Sequence, residues 1–167
     1  GLVLSLDNSE LDPQLLMDLA LSYHKRSPSG HIIERQTVLI FDECQILFNC
    51  RSWQTNNRMQ WATFFTQHRK YGYDIILITQ YDRLIDRQIR AVVEYEVIHR
   101  KASNFKTLGF LLGLPFRGNL FVAITRWYGE HEKIESEMFV LRKKYARLYD
   151  SYKIFNPQTQ TGLGVPS

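Results

Sequence analysis

The residues in this sequence best suited to chemistry are two adjacent carboxylates that end a short apolar run. Asp42 and Glu43 follow Thr37–Phe41, which contains only apolar or β-branched residues. Such a run is typical of a central parallel strand covered on both faces. Ligand sites in open α/β sheets lie beyond the carboxyl ends of such strands. An aspartate there can hold Mg²⁺ through water, and a glutamate can polarise a water molecule for attack on a phosphate.

Two interpretations of these carboxylates stay open. In the first, Asp42 and Glu43 form a Walker B segment of a P-loop nucleotidase. In the second, they only cap the helix that follows. Gln80 favours the first, because it ends the apolar run Asp74–Gln80 and a polar side chain there can reach a γ-phosphate or the attacking water. The alternative for Gln80 is a hydrogen bond within its own loop.

The elements that would position these side chains form a strand–helix–strand unit. The strand Thr37–Phe41 is followed by a helical pattern from Asn56 to about Lys70, which Gly72 is placed to end. The run Asp74–Gln80 is then a second buried strand. Crossovers of this kind are almost always right-handed, so we expect the strands to be parallel, with their polar ends together.

Flanking segments continue the alternation of helix and strand. Leu2–Leu6 is predicted as a strand, Asp12 and Pro13 start a helix that runs to about Lys25, and Ser27–Gly30 is a loop. Further along, the pattern predicts a third helix capped by Asp82, strands at Val93–Ile98 and Leu120–Trp127, a strand or basic helix at Met138–Tyr149, and a linker from Asn156. The sequence therefore predicts an α/β fold.

Composition sets limits on the class of protein. The 167 residues are 44% hydrophobic, which suits one globular domain, and a net charge of +4 permits contact with nucleic acid or an anionic membrane without requiring either. The apolar runs are too short to span a bilayer, and no signal peptide opens the chain. Cys44 and Cys50 lack zinc-site spacing and are interpreted as buried reduced thiols, and no histidine is nominated as a metal ligand.

One element of a nucleotide site is missing from the sequence. It contains no G-x-x-x-x-G-K-[ST] motif, so the loop that would cradle the β- and γ-phosphates is not in these residues.

Several longer stretches resemble the filamentous-phage assembly ATPases of the zonular occludens toxin family. The resemblance extends from roughly Leu11 to Phe155 and is poorest between Ala102 and Leu120. The residues that carry it are Phe41–Cys44, Phe48–Trp53, His68–Ile76, Gln80 and Ile85–Arg90.

The resemblance implies a P-loop NTPase-like three-layer sandwich with a mostly parallel central sheet. It implies that residues 1–155 form a partial ATPase domain, and that the first strand and the Walker A loop would precede Gly1. Residues 156–167 would then be a polar linker leading toward a membrane span beyond Ser167. These residues alone are expected to bind nucleotide poorly and to be inactive.

The resemblance also implies a set of roles. ATP and Mg²⁺ would be the cofactors, with Asp42 as the Mg²⁺ aspartate, Glu43 as the catalytic base and Gln80 as the sensor. A homo-oligomer, in the related motors a hexamer, would complete each site with an arginine from a neighbouring subunit. The candidates for that arginine are Arg51, Arg69, Arg87, Arg90 and Arg100, with Arg69 and Arg100 preferred.

The function implied is ATP-driven assembly and extrusion of phage from the cytoplasmic side of the host inner membrane. Its partners would be phage assembly proteins, the coat protein, the membrane and single-stranded phage DNA. Two alternatives stay open, a DNA-translocating ATPase of the same superfamily and a non-catalytic docking or oligomerisation module.

Two further features have competing explanations. Trp53 and Trp61 are interpreted as core anchors in preference to base-stacking residues. The basic cluster from Arg142 to Lys153 would contact anionic lipid, contact nucleic acid phosphates or simply be solvated.

Overall fold

The protein is described here from a computed structural model, in which residues 5–6, 10–50, 58–102 and 119–142 are described. The chain divides into two compact units, Gly1–Glu94 and Tyr95–Ser167. The first contains a two-stranded parallel sheet with helices, and the second contains a three-stranded antiparallel sheet. These elements confirm the predicted α/β class, with one small parallel and one small antiparallel sheet.

The first unit contains the predicted strand–helix–strand arrangement. Strands β1 and β2 are parallel, with Thr37 opposite Tyr73 and Phe41 opposite Leu77. The elements in chain order are α1 (Pro13–Tyr23), β1 (Thr37–Phe41), α2 (Cys44–Leu47), α3 (Arg58–Gln67), a 3₁₀ turn (His68–Tyr71), β2 (Tyr73–Leu77), a second 3₁₀ turn (Asp82–Leu84) and α4 (Arg87–Arg90).

Helix α1 begins where the sequence predicts. Pro13 occupies the first helical position, where a missing N–H costs nothing, and the helix ends at Tyr23, close to the expected Lys25. Leu16 and Ala20 are buried, so one face of α1 packs onto the core.

Gly72 connects the helical layer to both strands. It lies in the left-handed region at φ +78°, and a Cβ there would come within 2.8 Å of the Ile33 carbonyl oxygen and 2.9 Å of His24 Nδ1. Its own carbonyl accepts a hydrogen bond from the Thr37 amide, at the start of β1. Only glycine combines a positive φ at no steric cost with the absence of a Cβ. The predicted helix stop at this residue is confirmed.

Aromatic side chains dominate the core of the first unit. Phe48 packs edge-to-face on Trp61 and Phe65, with ring centroids 5.1 and 5.2 Å apart. Trp61 is 3% exposed, which confirms its interpretation as a core anchor, whereas Trp53 lies outside the described residues. The buried core comprises Leu16, Ala20, Phe41, Cys44, Phe48, Trp61, Phe64, Phe65, Tyr73, Ile85 and Ile89.

The prediction that the carboxylate strand is covered on both faces is wrong. Leu39 and Phe41 face the core, but Val38 and Ile40 on the opposite face are 55% and 62% exposed. On β2, Ile76 is likewise 48% exposed. An apolar run predicts that a strand can be buried, but the elements packed around it decide whether both faces are.

Two further predictions for the first unit need correction. The helix expected to start at Asp82 is a 3₁₀ turn, and the short helix α4 is capped by Asp86, whose Oδ1 accepts the Gln88 amide at 2.8 Å. Of the two cysteines expected to be buried, Cys44 is buried and Cys50 is exposed.

The second unit is an antiparallel sheet in the order β3 (Tyr95–Lys101), β4 (Leu120–Trp127), β5 (Lys133–Val140). Strand β4 has the predicted bounds, and β3 starts two residues later than expected. Every residue of β5 is exposed.

Several predicted segments lie wholly or partly outside the described residues. Of the strand predicted at Leu2–Leu6, only Ser5 and Leu6 are described, and they belong to no strand. Of the segment Met138–Tyr149, only the first residues are described, and they form the end of β5. The tail from Asn156 is also outside. No helix in the described part of the chain is long and apolar enough to cross a membrane.

Candidate functional site

The Asp42–Glu43 turn lies at the carboxyl edge of the parallel sheet. The Ile78 amide donates to the Phe41 carbonyl at 2.9 Å, and the Cys44 amide donates to the Ile78 carbonyl at 3.0 Å. The turn is therefore held between two backbone bonds to β2. Because the strands are parallel and in register, Gln80, two residues beyond Ile78, follows the same edge.

Glu43 adopts a backbone conformation that is rare for its residue type. Its φ of +48° and ψ of +40° lie in the left-handed region, which costs a residue with a Cβ roughly 1–2 kcal/mol. Asp42 supports this conformation, because its Oδ1 accepts the Glu43 amide at 2.9 Å. Both carboxylates are exposed, so they can reach a ligand beyond the strand ends.

The second interpretation of the carboxylates, as simple helix caps, is not what the contacts show. Helix α2 is only four residues long, and the side chain of its N-cap residue, Glu43, makes no capping hydrogen bond. The Asp42 carboxylate bonds the Glu43 amide, which precedes the helix.

Both ends of α2 are fixed to other elements, which makes the turn before it rigid. At its start, Cys44 is 1% exposed, and burial raises the pKa of its thiol to about 11, with the negative charge of Asp42 a smaller contribution. At its end, the backbone carbonyl of the fully buried Phe48 accepts a hydrogen bond from the Asp86 amide at 2.9 Å. Sequence reasoning missed this role of Cys44.

Asp86 is the second positioning residue that the sequence did not indicate. It is 4% exposed and pairs with Arg58 at 3.0 Å, which joins α3 to the start of α4. The same residue donates its amide to Phe48. Arg58 is 45% exposed, but the Asp86 carboxylate is buried, so loss of the arginine would leave a buried charge without its ion-pair partner. Through these contacts Asp86 holds the end of α2.

The remaining predicted residues are placed separately. Gln80 is exposed, and the loop after it is closed by Thr79, whose Oγ1 accepts the Tyr81 amide at 3.2 Å. Arg69 forms an exposed ion pair with Glu94. Arg100 lies in β3 of the second unit and is exposed.

Other candidates are only partly described. Arg87 and Arg90 lie in α4, and Arg51 falls outside the described residues. Of the basic cluster from Arg142 to Lys153, only Arg142 is described, and it is exposed.

Asp42 and Glu43 are exposed carboxylates that a metal ion could reach. Among the described residues, no group of three or more His, Cys, Asp or Glu side chains is placed to hold a metal ion. Mg²⁺ in phosphoryl-transfer sites is bound through one or two carboxylates together with waters and substrate phosphates. Asp42, with Oδ1 bonded to the Glu43 amide and its side chain exposed, suits that mode.

Comparison with known proteins gives consistent matches. The profile of the family described as zonular occludens toxin (Zot) matches residues 7–154. The chain is 34% identical over 88 residues to the Gene 1 protein of Enterobacteria phage M13, covering 53% of this chain and 24% of that protein. It is 32% identical over 100 residues to the Gene 1 protein of Escherichia phage If1, covering 60% and 27%.

These matches span about a quarter of the length of the curated relatives. Among solved structures, the N-terminal domain of zonular occludens toxin from Neisseria meningitidis is similar, with a TM-score of 0.45 and 19% identity, covering 81% of this chain and 63% of that one. Because the family profile matches most of its residues, the chain belongs to the zonular occludens toxin (Zot) family.

Proposed function

We propose that this protein is an ATPase of phage assembly and export, and that Asp42 and Glu43 are part of its nucleotide site. The phosphate-binding Walker A loop would come from a segment outside these 167 residues, completing a P-loop three-layer fold. The proposal rests on one observation above the others. Two adjacent exposed carboxylates end a parallel strand, and backbone hydrogen bonds to Ile78 hold them at the carboxyl edge of the sheet.

The roles follow from the positions of the side chains. Glu43 would accept a proton from the attacking water, a task that needs a carboxylate held in a fixed direction. Its left-handed backbone, supported by the Asp42 carboxylate, fixes the direction in which the Glu43 side chain leaves the main chain. Strained residues of this kind cluster at functional sites, which supports the assignment. Gln80 would orient the water from the end of the neighbouring strand.

ATP and Mg²⁺ would be bound chiefly by the Walker A segment, with Asp42 holding the ion through water. The ion supplies charge neutralisation on the phosphates. What these residues contribute is position, because backbone hydrogen bonds to β2 hold the turn that carries both carboxylates at the strand end. A neighbouring copy in a homo-oligomer, such as a hexamer, would add an arginine. Arg69 or Arg100 would serve, and Arg69 would first have to leave Glu94.

The phage setting is proposed from the relatives named Gene 1 protein. The protein would act at the cytoplasmic side of the host inner membrane, extruding the virion as it is assembled. Its partners would be other phage assembly proteins, the coat protein and single-stranded phage DNA, and a segment beyond Ser167 would reach the membrane.

The test is ATP hydrolysis by the full-length protein, wild type against Glu43→Gln, with Mg²⁺ and with or without single-stranded DNA. We expect Glu43→Gln to lower turnover by about 10²- to 10⁴-fold while ATP binding is kept, because only the proton acceptor is removed. Glu34→Gln is the matched control, since Glu34 is an exposed carboxylate remote in sequence from the turn.

Each other outcome points to an alternative. The absence of ATP binding and turnover in wild type would replace the ATPase with a docking or oligomerisation module. Equal, measurable turnover in wild type and Glu43→Gln would keep the ATPase but remove Glu43 as its base. Strong stimulation of wild-type turnover by single-stranded DNA would favour a DNA-translocating ATPase.

A further inference from the structure

The outer edge of β5 is a strand surface with an unusual combination of features. All eight residues of β5 are exposed, and among the described residues β5 pairs only with β4. Exposed edge strands present free N–H and C=O groups that can pair with another strand. We propose that this edge binds an extended peptide segment in which basic residues alternate with apolar ones.

The hydrogen-bonding register identifies which backbone groups are available. The Leu141 amide donates to the Asn119 carbonyl, and β4 and β5 are antiparallel from there. In an antiparallel ladder, alternate residues point their N–H and C=O groups away from the partner. The backbone groups of Ser136, Met138 and Val140 therefore face the open edge, ready to hydrogen-bond an added strand.

The side chains divide by face in a way that specifies the partner. Glu135 and Glu137 lie on one face of β5, opposite the small side chains of Thr125 and Ala123 on β4. No ion pair joins either glutamate to a basic residue within the described ranges. On the other face, Met138 is 70% exposed.

Charge decides what kind of strand this edge accepts. In the proposed pairing, residues opposite Glu135 and Glu137 occupy positions without direct hydrogen bonds, where side chains of the two strands approach most closely. Opposite charges there stabilise a cross-strand pair and like charges oppose it. The partner should therefore place lysine or arginine beside the glutamates and an apolar residue beside Met138.

The same surface has aromatic side chains, but its charge is wrong for nucleic acid. Phe139 stacks on Phe121, with ring centroids 5.9 Å apart, on the face that carries the glutamates. Bases could stack on such rings. The charges at the open edge are Glu135 and Glu137, whereas Lys101 on the same face lies two strands away on β3. The edge itself would therefore repel phosphates, so a cationic peptide fits there better than a nucleic acid.

The test uses the 167-residue chain and a labelled peptide as long as β5 (8 residues) that alternates lysine with valine. We expect fluorescence anisotropy to show that the peptide binds and that salt weakens the binding. Hydrogen exchange at the amides of Ser136, Met138 and Val140 should become slower when the peptide is bound. A peptide with glutamate for lysine should not bind. A peptide with proline at the two central valines should bind weakly, because proline removes the N–H donors that face β5.

Matched protein variants separate this site from general charge attraction. The double substitution Glu135→Lys and Glu137→Lys should weaken peptide binding by about tenfold, because two attractive cross-strand pairs become repulsive. Glu130→Lys with Glu132→Lys makes the same change of net charge in the β4–β5 turn and should leave binding within about twofold of wild type.

Three results would overturn the proposal. The first is an equal loss of peptide affinity in the two double variants. The second is binding of the proline-containing peptide as tight as that of the lysine–valine peptide. The third is no binding of the lysine–valine peptide together with unchanged amide exchange. Binding of an oligothymidine that protects the same three amides would assign the surface to single-stranded nucleic acid instead. None of these readouts depends on ATP hydrolysis, so the peptide site and the proposed ATPase can fail separately.

Discussion

The parallel and antiparallel sheets of this protein differ in how far their strands are buried. In the parallel sheet, Leu39 and Phe41 of β1 pack on an aromatic core, and two exposed carboxylates follow the strand in a turn that backbone hydrogen bonds hold to β2. In the antiparallel sheet, all of β5 is exposed. A strand packed on a core can hold a residue in a costly backbone conformation at its end, whereas an exposed edge strand offers its own backbone for binding.

The comparison predicts that the same substitution has very different effects in the two sheets. Gly72→Ala should lower the free energy of unfolding by about 3 kcal/mol, because the residue is at φ +78° and its Cβ would meet the Ile33 carbonyl at 2.8 Å. Gly129→Ala, in the second unit, should change it by less than about 0.5 kcal/mol, because no atom lies within 4 Å of the added Cβ.

Urea denaturation of both variants measures this difference, and amide exchange locates it. The loss in Gly72→Ala should appear at the amides of β1 and β2. A loss in Gly129→Ala as large as that in Gly72→Ala would break the comparison, since it would show that the second unit is packed as tightly as the first.

A second prediction concerns the buried thiol beside the carboxylates. Burial raises the pKa of Cys44 to about 11 from 9.0, so the folded protein holds the thiol proton over a pH range in which the unfolded chain loses it. The stabilisation is complete below pH 9 and is lost as the pH rises to about 11. A shift of this size corresponds to about 3 kcal/mol in total, of which about 2 kcal/mol is lost by pH 11.

The measurement is the free energy of unfolding from pH 8 to pH 11, for wild type and Cys44→Ala. Wild type should lose about 2 kcal/mol more than the variant across this range. Burial also raises the pKa of Tyr73, but that residue is present in both proteins and cancels in the difference. Parallel curves would mean that Cys44 is accessible to water, and that α2 is held less tightly than the contacts of the site imply.

The sequence predicted the parallel sheet well, because the decisive signals are local. The apolar run Thr37–Phe41 gave the bounds of β1, and Gly72 marked the helix stop. The proposed roles of Asp42 and Glu43 stay predictions, but their place at the strand end is confirmed.

Predictions failed where packing between distant segments decides the outcome. Both Asp82 and Asp86 can cap a helix, and the sequence does not show that Asp86 is chosen through its contacts with Phe48 and Arg58. Exposure of Val38 depends on what surrounds the sheet. The Lys133–Glu137 half of β5 was missed because it is mostly polar, although the alternation around Glu135 and Glu137 is a strand signal.

The smallest predicted effect tests whether strain at the end of β1 serves function. Glu43 and, in the second unit, His131 both have positive φ, of 48° and 56°. Asparagine tolerates this region better than either residue. Glu43→Asn and His131→Asn should therefore each raise the free energy of unfolding by about 0.5 kcal/mol, measured by urea denaturation.

The two variants should then separate in the full-length protein. His131→Asn should keep wild-type ATP hydrolysis, whereas Glu43→Asn should lose it, because asparagine cannot accept the proton. Gain of stability with loss of turnover is the pattern expected where strain is kept for function. If Glu43→Asn is less stable than wild type, the left-handed turn is held by contacts that the glutamate itself makes, and strain at Glu43 no longer distinguishes the end of β1 from an ordinary turn.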